Sequence, residues 1–252
     1  MTDDDLQQLR QLFEVMEQLR APGGCPWDRA QSHQTLVPFL LEETYEAIQA
    51  VEEGSPEELA EELGDLLVEV AMHSAIAAEQ GSFDIGDVAR AATEKMIGRH
   101  PHVFGELEVA GVAQVLSNWE ELKRQEKPER ESALDGIPRS LPALALAAAI
   151  QRRQDRGSEP GVPTGAGPNP ALAAATALGQ LAAGSQAGGS AEELVGELLF
   201  WVVALAGQHQ VDAEGALRRV AAQRRAAWRQ TEVQERRQAA AGPANPPADA
   251  SK

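Results

Sequence analysis

Apolar residues recur every three or four positions along much of the chain, which is the spacing of one face of an α-helix. The first segment shows this period at five positions, Leu6, Leu9, Phe13, Met16 and Leu19. Glycine, proline and capping residues interrupt the pattern where helices would end. The first half is thus predicted to contain five helices. Four of them cover about 3–20, 35–52, 56–80 and 112–126, and another begins at Asp84 or Asp87 and ends near residue 98. Short connections between them favour an all-α bundle of antiparallel helices.

The second half returns to the helical period after the Gly/Pro-rich segment RGSEPGVPTGAGPNP. The segment EELAEELGDLL (57–67) is echoed there by SAEELVGELLF (190–200), which indicates two related helical halves. The pattern predicts four parts: a helical domain over 1–130, a connecting segment and linker over 131–170, a second helical domain over 171–237 and a disordered tail over 238–252.

Composition narrows the classes of function. The formal charge of −17 argues against a nucleic-acid polymer as partner, because binding to phosphate backbones needs a positive surface. The single cysteine, Cys25, excludes an internal disulfide framework and fits a reducing compartment. The start MTDDDLQQL lacks the apolar region of a signal peptide, and the apolar run LLFWVVALA is too short to span a membrane. We therefore expect a soluble cytoplasmic protein without a membrane partner.

Acidic residues are concentrated in one part of the chain. Between Ala30 and Ala89 there are 14 Asp and Glu residues and no Lys or Arg. A solvated helix face is the usual explanation of such a segment. Here, however, Glu43 and Glu46 are three residues apart, as are Glu62 and Asp65, so each pair projects from one face of its helix. Two facing pairs would repel each other unless a cation neutralised them.

Hard carboxylate oxygens suit Mg²⁺, with Mn²⁺ as a possible substitute, and such ions often bridge protein carboxylates to substrate phosphates. A di-iron site is the competing interpretation for a helical bundle, and it uses Glu-x-x-His motifs. Here Glu46 and Asp65 stand where such motifs would need histidine. The sequence therefore favours magnesium.

Cationic residues and an aromatic residue follow the acidic segment. Lys95 and Arg99 are four residues apart, and so are Trp119 and Lys123, so each pair shares a helix face. A ring and an ammonium group on one face could stack a base and hold a phosphate. The ordinary alternative is that the cations are solvated and that Trp119 belongs to the core.

The motif EExxE (Glu42, Glu43, Glu46) followed by ExxD (Glu62 to Asp65) is similar to the signature of the all-α nucleoside triphosphate pyrophosphohydrolases. Four further strings resemble the MazG family in particular: GGCPWDRAQSHQTL, KMIGRHPHVFG, NWEELKRQEK and SALDGIPRSLPAL. The resemblance covers about residues 20–150. It implies an all-α dimer that uses Mg²⁺ to hydrolyse nucleoside or deoxynucleoside triphosphates to the monophosphate and pyrophosphate, by attack of water on the α-phosphorus.

The same resemblance implies roles for individual residues. The implied Mg²⁺ ligands are Glu43, Glu46, Glu62 and Asp65, and the implied nucleotide contacts are Lys95, Arg99, Trp119 and Lys123. Glu42 joins Glu43 and Glu46 in the implied catalytic group. Its part stays open: it would position or deprotonate water, or serve a second metal ion.

The second half departs from this motif. Its counterpart of ELGD is LVGE (194–197), in which Leu194 stands where the glutamate should be, and no acid lies upstream in PNPALAAATALGQLAAG. Because Glu197 alone cannot build a magnesium site, we expect this half to be inactive and to serve packing, dimerisation or regulation.

The sequence leaves two alternatives to a general triphosphate pyrophosphohydrolase. In the first, the chain is a non-enzymatic dimeric regulator whose acidic faces bind a basic partner. In the second, it is an enzyme of the same fold with a narrow substrate, such as dUTP or a damaged nucleotide.

Overall fold

A computed structural model describes residues 1–126, 129, 131–156, 169–184 and 189–241. In these ranges the regular structure is helical throughout, which confirms the all-α prediction. The helices are α1 (Asp3–Arg20), α2 (Pro26–Arg29), α3 (His33–Glu53), α4 (Pro56–Glu79), α5 (Ile85–Arg99), α6 (Pro101–Phe104), α7 (Val112–Gln125), α8 (Ala143–Arg156), α9 (Pro170–Ala182), α10 (Ala191–Gln208) and α11 (Ala213–Ala241).

Capping residues set the starts of the helices that carry the acidic motif. Ser32, Ser55 and Asp84 each accept a hydrogen bond from the third backbone N–H of α3, α4 and α5, in a capping box. Because Ser32 caps α3, this helix begins two residues before the predicted Thr35. After α4, Gly81 has a φ of 67°, a conformation that glycine adopts without strain.

The chain divides into two compact units, residues 1–126 and 127–252. Unit 1 is built around α4, which packs against α1 and α3. Its core consists of Met16, Leu36, Ala71, Met72 and Ile76, where Leu36 is only 1% exposed. This aliphatic core fixes α3 beside α4, and the acidic motif lies on these two helices.

Polar contacts add to the packing at the end of α4. Arg20 on α1 is buried and donates two hydrogen bonds to Glu79 and one to the carbonyl of Asp28. His33 and His73 share a hydrogen bond between their Nδ1 atoms at 2.7 Å, with parallel rings 5.0 Å apart. Burial, and then the charge of His33, lower the pKa of His73. These contacts hold the first turn of α3 and the end of α1 against α4.

Unit 2 is built around α10, which packs against α8, α9 and α11. Its buried apolar residues are Ala174, Ala177, Leu194 and Val203. The predicted linker lies mostly outside the described residues, as does the tail beyond residue 241. Helix α11 continues to Ala241, four residues into the predicted tail, because Gln and Ala favour helix and the breakers Gly242 and Pro243 come only afterwards.

Within the described ranges no single helix is long and apolar enough to cross a membrane. One bent pair, Ala191–Gln208 with Ala213–Arg237, meets the length and composition criteria when taken together, with an angle of 106° between the two.

Candidate functional site

The acidic motif is brought together by the helical hairpin of α3 and α4. The two helices are joined by Gly54 and Ser55 alone and pack along each other. Residues at similar distances from this turn lie opposite one another in the hairpin. Glu43 is therefore at about the same height as Asp65, and Glu46 is at about the same height as Glu62. The spacing of three within each pair then places both of its members on one face of their own helix.

Three carboxylates form a compact cluster there. Oxygen atoms of Glu43, Glu62 and Asp65 all lie within 4.8 Å of one another. Glu43 and Glu62 are half-buried and Asp65 is exposed, so the cluster opens to solvent. In the part of the chain that the structure describes, this is the one group of three or more potential metal-binding side chains with such proximity.

Mutual repulsion marks the electrostatics of the cluster. Partial burial raises the pKa of Glu43, and nearby negative charges raise it further, in the order Asp65, Glu46, Glu62 and Glu42. The pKa of Glu62 is raised by burial and then by Glu46, Asp65, Glu61 and Glu58. No basic side chain contributes to either shift. Negative charge therefore accumulates at this point without a protein counter-ion acting on these two groups.

The donor set fits the expected cation. All three clustered ligands are carboxylates, the hard donors that Mg²⁺ and Mn²⁺ prefer. Metal–oxygen distances of about 2.0–2.1 Å place the ligands of one Mg²⁺ within about 4 Å of each other. The upper bound of 4.8 Å on the observed separations is close to that value.

Two further motif residues lie beside the cluster. Glu46 is exposed and is not among the three clustered ligands, although its charge raises the pKa of both Glu43 and Glu62. Glu42 is exposed and acts on Glu43. The structure thus brings Glu43, Glu62 and Asp65 together and leaves Glu42 and Glu46 at the solvent side.

The expected nucleotide contacts lie on α5 and α7, which pack against each other. The guanidinium carbon of Arg99 lies 5.4 Å from the centre of the Trp119 ring. His100 also contacts this ring, with an edge-on geometry and a centroid distance of 4.9 Å. Lys95 is exposed and Lys123 is half-buried. The helices therefore unite Arg99 and Trp119, which the sequence placed 20 residues apart.

One residue of this region escaped the sequence reasoning. Glu126 forms an ion pair with Arg99, 27 residues earlier in the chain. Glu126 lies three residues after Lys123 in the string NWEELKRQEK. The spacing of residues within one helix does not predict a partner on another helix. Only the packing of α5 against α7 defines this pair.

The corresponding position in unit 2 is occupied differently. Leu194 is buried, and the carboxylate of Glu197 accepts a hydrogen bond from the indole N–H of Trp201 at 3.0 Å. Among the described residues of unit 2 no three potential ligands approach one another as the unit 1 carboxylates do.

The chain is similar to several known proteins. It is 43% identical over 151 residues to the nucleoside triphosphate pyrophosphohydrolase of Escherichia coli K12, covering 59% of this chain and 57% of the relative. It is 46% identical over 142 residues to the nucleoside triphosphate pyrophosphohydrolase/pyrophosphatase MazG of Thermotoga maritima, covering 56% of this chain and 54% of the relative. The alignments thus span little more than half of these two relatives.

The chain is also 45% identical over 139 residues to the uncharacterized protein YabN of Bacillus subtilis. That alignment covers 55% of this chain and only 28% of YabN. Among solved structures, a mazG-related protein from Thermotoga maritima matches with a TM-score of 0.40 and 29% identity, over 46% of this chain and 98% of that one. Residues 31–104 match the model of the MazG nucleotide pyrophosphohydrolase domain. This match and the similarity to the two pyrophosphohydrolases confirm the resemblance seen in the motifs, and the part of the chain that matches the MazG domain model is residues 31–104.

Proposed function

We propose that unit 1 hydrolyses nucleoside or deoxynucleoside triphosphates to the monophosphate and pyrophosphate, with a divalent cation, and that it serves to remove unwanted nucleotides from the cellular pool. Water attacks the α-phosphorus, the bond from this phosphorus to the bridging oxygen of the β-phosphate breaks, and pyrophosphate leaves. The names of the relatives support the reaction class.

The observation that carries this proposal is the cluster of Glu43, Glu62 and Asp65 on one seam of the hairpin. We assign these residues and Glu46 as ligands of Mg²⁺, for which Mn²⁺ could substitute. A bound cation would supply charge neutralisation and Lewis acidity at the phosphates. Without it, the repulsion that raises the pKa values of Glu43 and Glu62 would also repel a triphosphate.

The remaining residues of the motif have complementary roles in this proposal. Glu42 is exposed next to the cluster and accepts the proton that the attacking water loses. Lys95, Arg99 and Lys123 bind phosphate oxygens and offset the charge that develops on the phosphates and on the leaving pyrophosphate. Trp119 offers an aromatic ring on which the base stacks.

We also propose a homodimer, because apolar side chains on α3 and α4 are exposed beside the site. Two rival functions make different predictions. A non-enzymatic regulator would hydrolyse no nucleotide, with or without metal. A narrow-specificity enzyme would act on dUTP or a damaged nucleotide and leave the common triphosphates intact.

The decisive experiment is pyrophosphate release from a panel of common, uracil-containing and oxidised triphosphates, with Mg²⁺, with Mn²⁺ and with a chelator. We expect metal-dependent release from several substrates. Glu62→Gln should reduce kcat by about 100-fold or more, because losing one contribution to the stabilisation of developing charge costs about 100- to 1000-fold.

Two matched variants sharpen this test. Glu53→Gln makes the same change at an exposed position at the end of α3 and should retain activity. Glu197→Gln changes the carboxylate at the corresponding position of unit 2, and this variant should retain activity as well. Loss of activity in the Glu197 variant, or full activity in the Glu62 variant, contradicts the assignment of the site to unit 1.

A further inference from the structure

Arg99 is held by a carboxylate from the end of α7. Its Nε donates to Oε1 of Glu126 at 2.9 Å, and its Nη2 donates to Oε2 at 2.5 Å. The side chain of Arg99 is 11% exposed and that of Glu126 is 34% exposed. This bidentate bond, and secondarily the nearby charge of Glu126, raise the pKa of Arg99 despite its burial. The pair is therefore a charge-assisted contact between two helices in which the arginine is largely buried and the carboxylate is partly exposed.

The geometry of this bond leaves one edge of the guanidinium available. An arginine has five N–H donors, and Glu126 uses the one on Nε and one on Nη2. The two N–H groups on Nη1 and the second N–H group on Nη2 remain. Within the described ranges, no hydrogen bond from these three groups is found. This second edge has the planar, two-pronged shape that matches a phosphate.

The same guanidinium lies against the ring of Trp119, 5.4 Å from its centre. A long arginine side chain loses considerable rotamer freedom when it is ordered by a ligand. Here the ion pair and the ring contact have already ordered it, so a ligand would bind a preformed donor edge at lower entropic cost.

We propose that Glu126 is a positioning residue for the nucleotide: it fixes Arg99 against Trp119 and presents the second guanidinium edge to a phosphate group of the substrate. This inference rests on the proposed nucleotide hydrolysis by unit 1. It also gives Arg99 a defined role, since an arginine that pairs with Glu126 through one edge still binds phosphate through the other.

The test compares two equivalent changes on α7. Glu126→Gln removes the charge that orders Arg99. Glu121→Gln is the matched control, because Glu121 also pairs with an arginine, Arg124, but on the exposed surface of the same helix. We expect Glu126→Gln to raise KM for the triphosphate about tenfold with kcat within about twofold, the equivalent of one immobilised, charge-assisted contact. The control should keep both constants within about twofold of wild type.

Two further variants separate positioning from general damage to the fold. Glu126→Asp retains the charge but shortens the reach, and should give an intermediate KM. In the Arg99→Ala background, adding Glu126→Gln should change KM by less than about twofold, because the residue that Glu126 orders is already absent. A merely structural role would make the two effects add.

The outcomes are distinguishable. If wild-type protein hydrolyses no triphosphate, both the proposed function and this inference fall. If wild type is active but Glu126→Gln has an unchanged KM, or a lower one because Glu126 competes with phosphate for Arg99, the inference alone is overturned.

Discussion

At the scale of single residues, the candidate site is a group of carboxylates in which no basic side chain of the described residues contributes to the pKa shifts of Glu43 and Glu62. Glu43 and Glu62 have raised pKa values because they are partly buried among other carboxylates. A carboxyl group whose pKa is higher in the folded than in the unfolded state destabilises the fold at pH values above both. This destabilisation disappears as the pH falls through the folded-state pKa.

The first prediction follows for the metal-free protein. At neutral pH and in the presence of a chelator, Glu62→Gln should raise the melting temperature, because it removes repulsion between carboxylates. The difference between variant and wild type should shrink as the pH falls through the raised pKa. Differential scanning calorimetry across this pH range measures the effect.

The same variant should lose the response to cations. Wild type should gain melting temperature with increasing Mg²⁺, since binding to the folded state stabilises it. Glu53→Gln serves as the control and should respond like wild type. An equal Mg²⁺ response in wild type and Glu62→Gln would remove Glu62 from the ligand set, whatever the activity assays give.

A second ion pair has a purely structural consequence. Arg20 has a side chain that is only 4% exposed, and its partner Glu79 is 48% exposed. The hydrogen bond from Arg20 is the largest cause of the lowered pKa of Glu79, so the pair stabilises the fold at pH values above the unfolded-state pKa of Glu79. This stabilisation is lost as the pH falls through the lower, folded-state pKa.

We therefore expect Glu79→Gln to lower the free energy of unfolding at pH 7 by about 1–2 kcal/mol, a value moderated by the exposure of Glu79. Urea denaturation measures it. The difference from wild type should vanish at a pH below the folded-state pKa of Glu79. A difference that persists unchanged there would mean that the charge of Glu79 is not its cause.

At the scale of elements, the α3–α4 hairpin decides the register of the site. Gly54 and Ser55 form the whole connection between the two helices. The hydroxyl of Ser55 accepts a hydrogen bond from the backbone N–H of Glu58, and the backbone N–H of Ser55 donates one to the carboxylate of Glu58. The start of α4 is thereby fixed about two turns before Glu62. A helix that began elsewhere would place Glu62 and Asp65 at different heights beside Glu43.

Loss of this cap should weaken the hairpin. Ser55→Ala should lower the free energy of unfolding by about 1 kcal/mol, a typical value for an N-cap serine. Chemical denaturation followed by circular dichroism gives the value. Ser82→Ala, in the exposed turn after α4, is the matched change and should have an effect below about 0.5 kcal/mol.

At the scale of the whole molecule, unit 1 has large apolar side chains that are exposed to solvent on α3 and α4. Val37 and Leu41 on α3 are 57% and 55% exposed, and they share a helix face. Leu63, Leu67 and Val70 on α4 also share a face, with exposures of 50%, 38% and 39%. Exposed apolar side chains that share a helix face are candidates for an association surface.

We expect the protein to be a dimer in solution and Val37→Glu to shift it towards the monomer at micromolar concentration. Light scattering after size-exclusion chromatography measures the mass. Leu6→Glu, at an apolar position on α1 that is 49% exposed, is the control and should remain dimeric. A wild-type mass of a single chain refutes the homodimer.

Much of this architecture could be predicted from the sequence because it depends on local pattern. The helical period, the helix start near Asp84 and the spacing of three in Glu43/Glu46 and Glu62/Asp65 all act within one or two turns. The acidic residues could therefore be assigned to helix faces from their spacing alone. Short helices such as α2 and α6 were missed, since four residues carry too little periodicity.

The sequence by itself determined the helices, their acidic faces and the MazG-type motif, since each is encoded by residues a few positions apart. Tertiary structure alone decided which of the carboxylates meet. Packing of α3 on α4 brings Glu43, Glu62 and Asp65 within 4.8 Å and leaves Glu46 outside that cluster. Packing of α5 on α7 likewise pairs Arg99 with Glu126. Such contacts depend on the distance and rotation between helices, which long-range packing sets and local spacing does not encode.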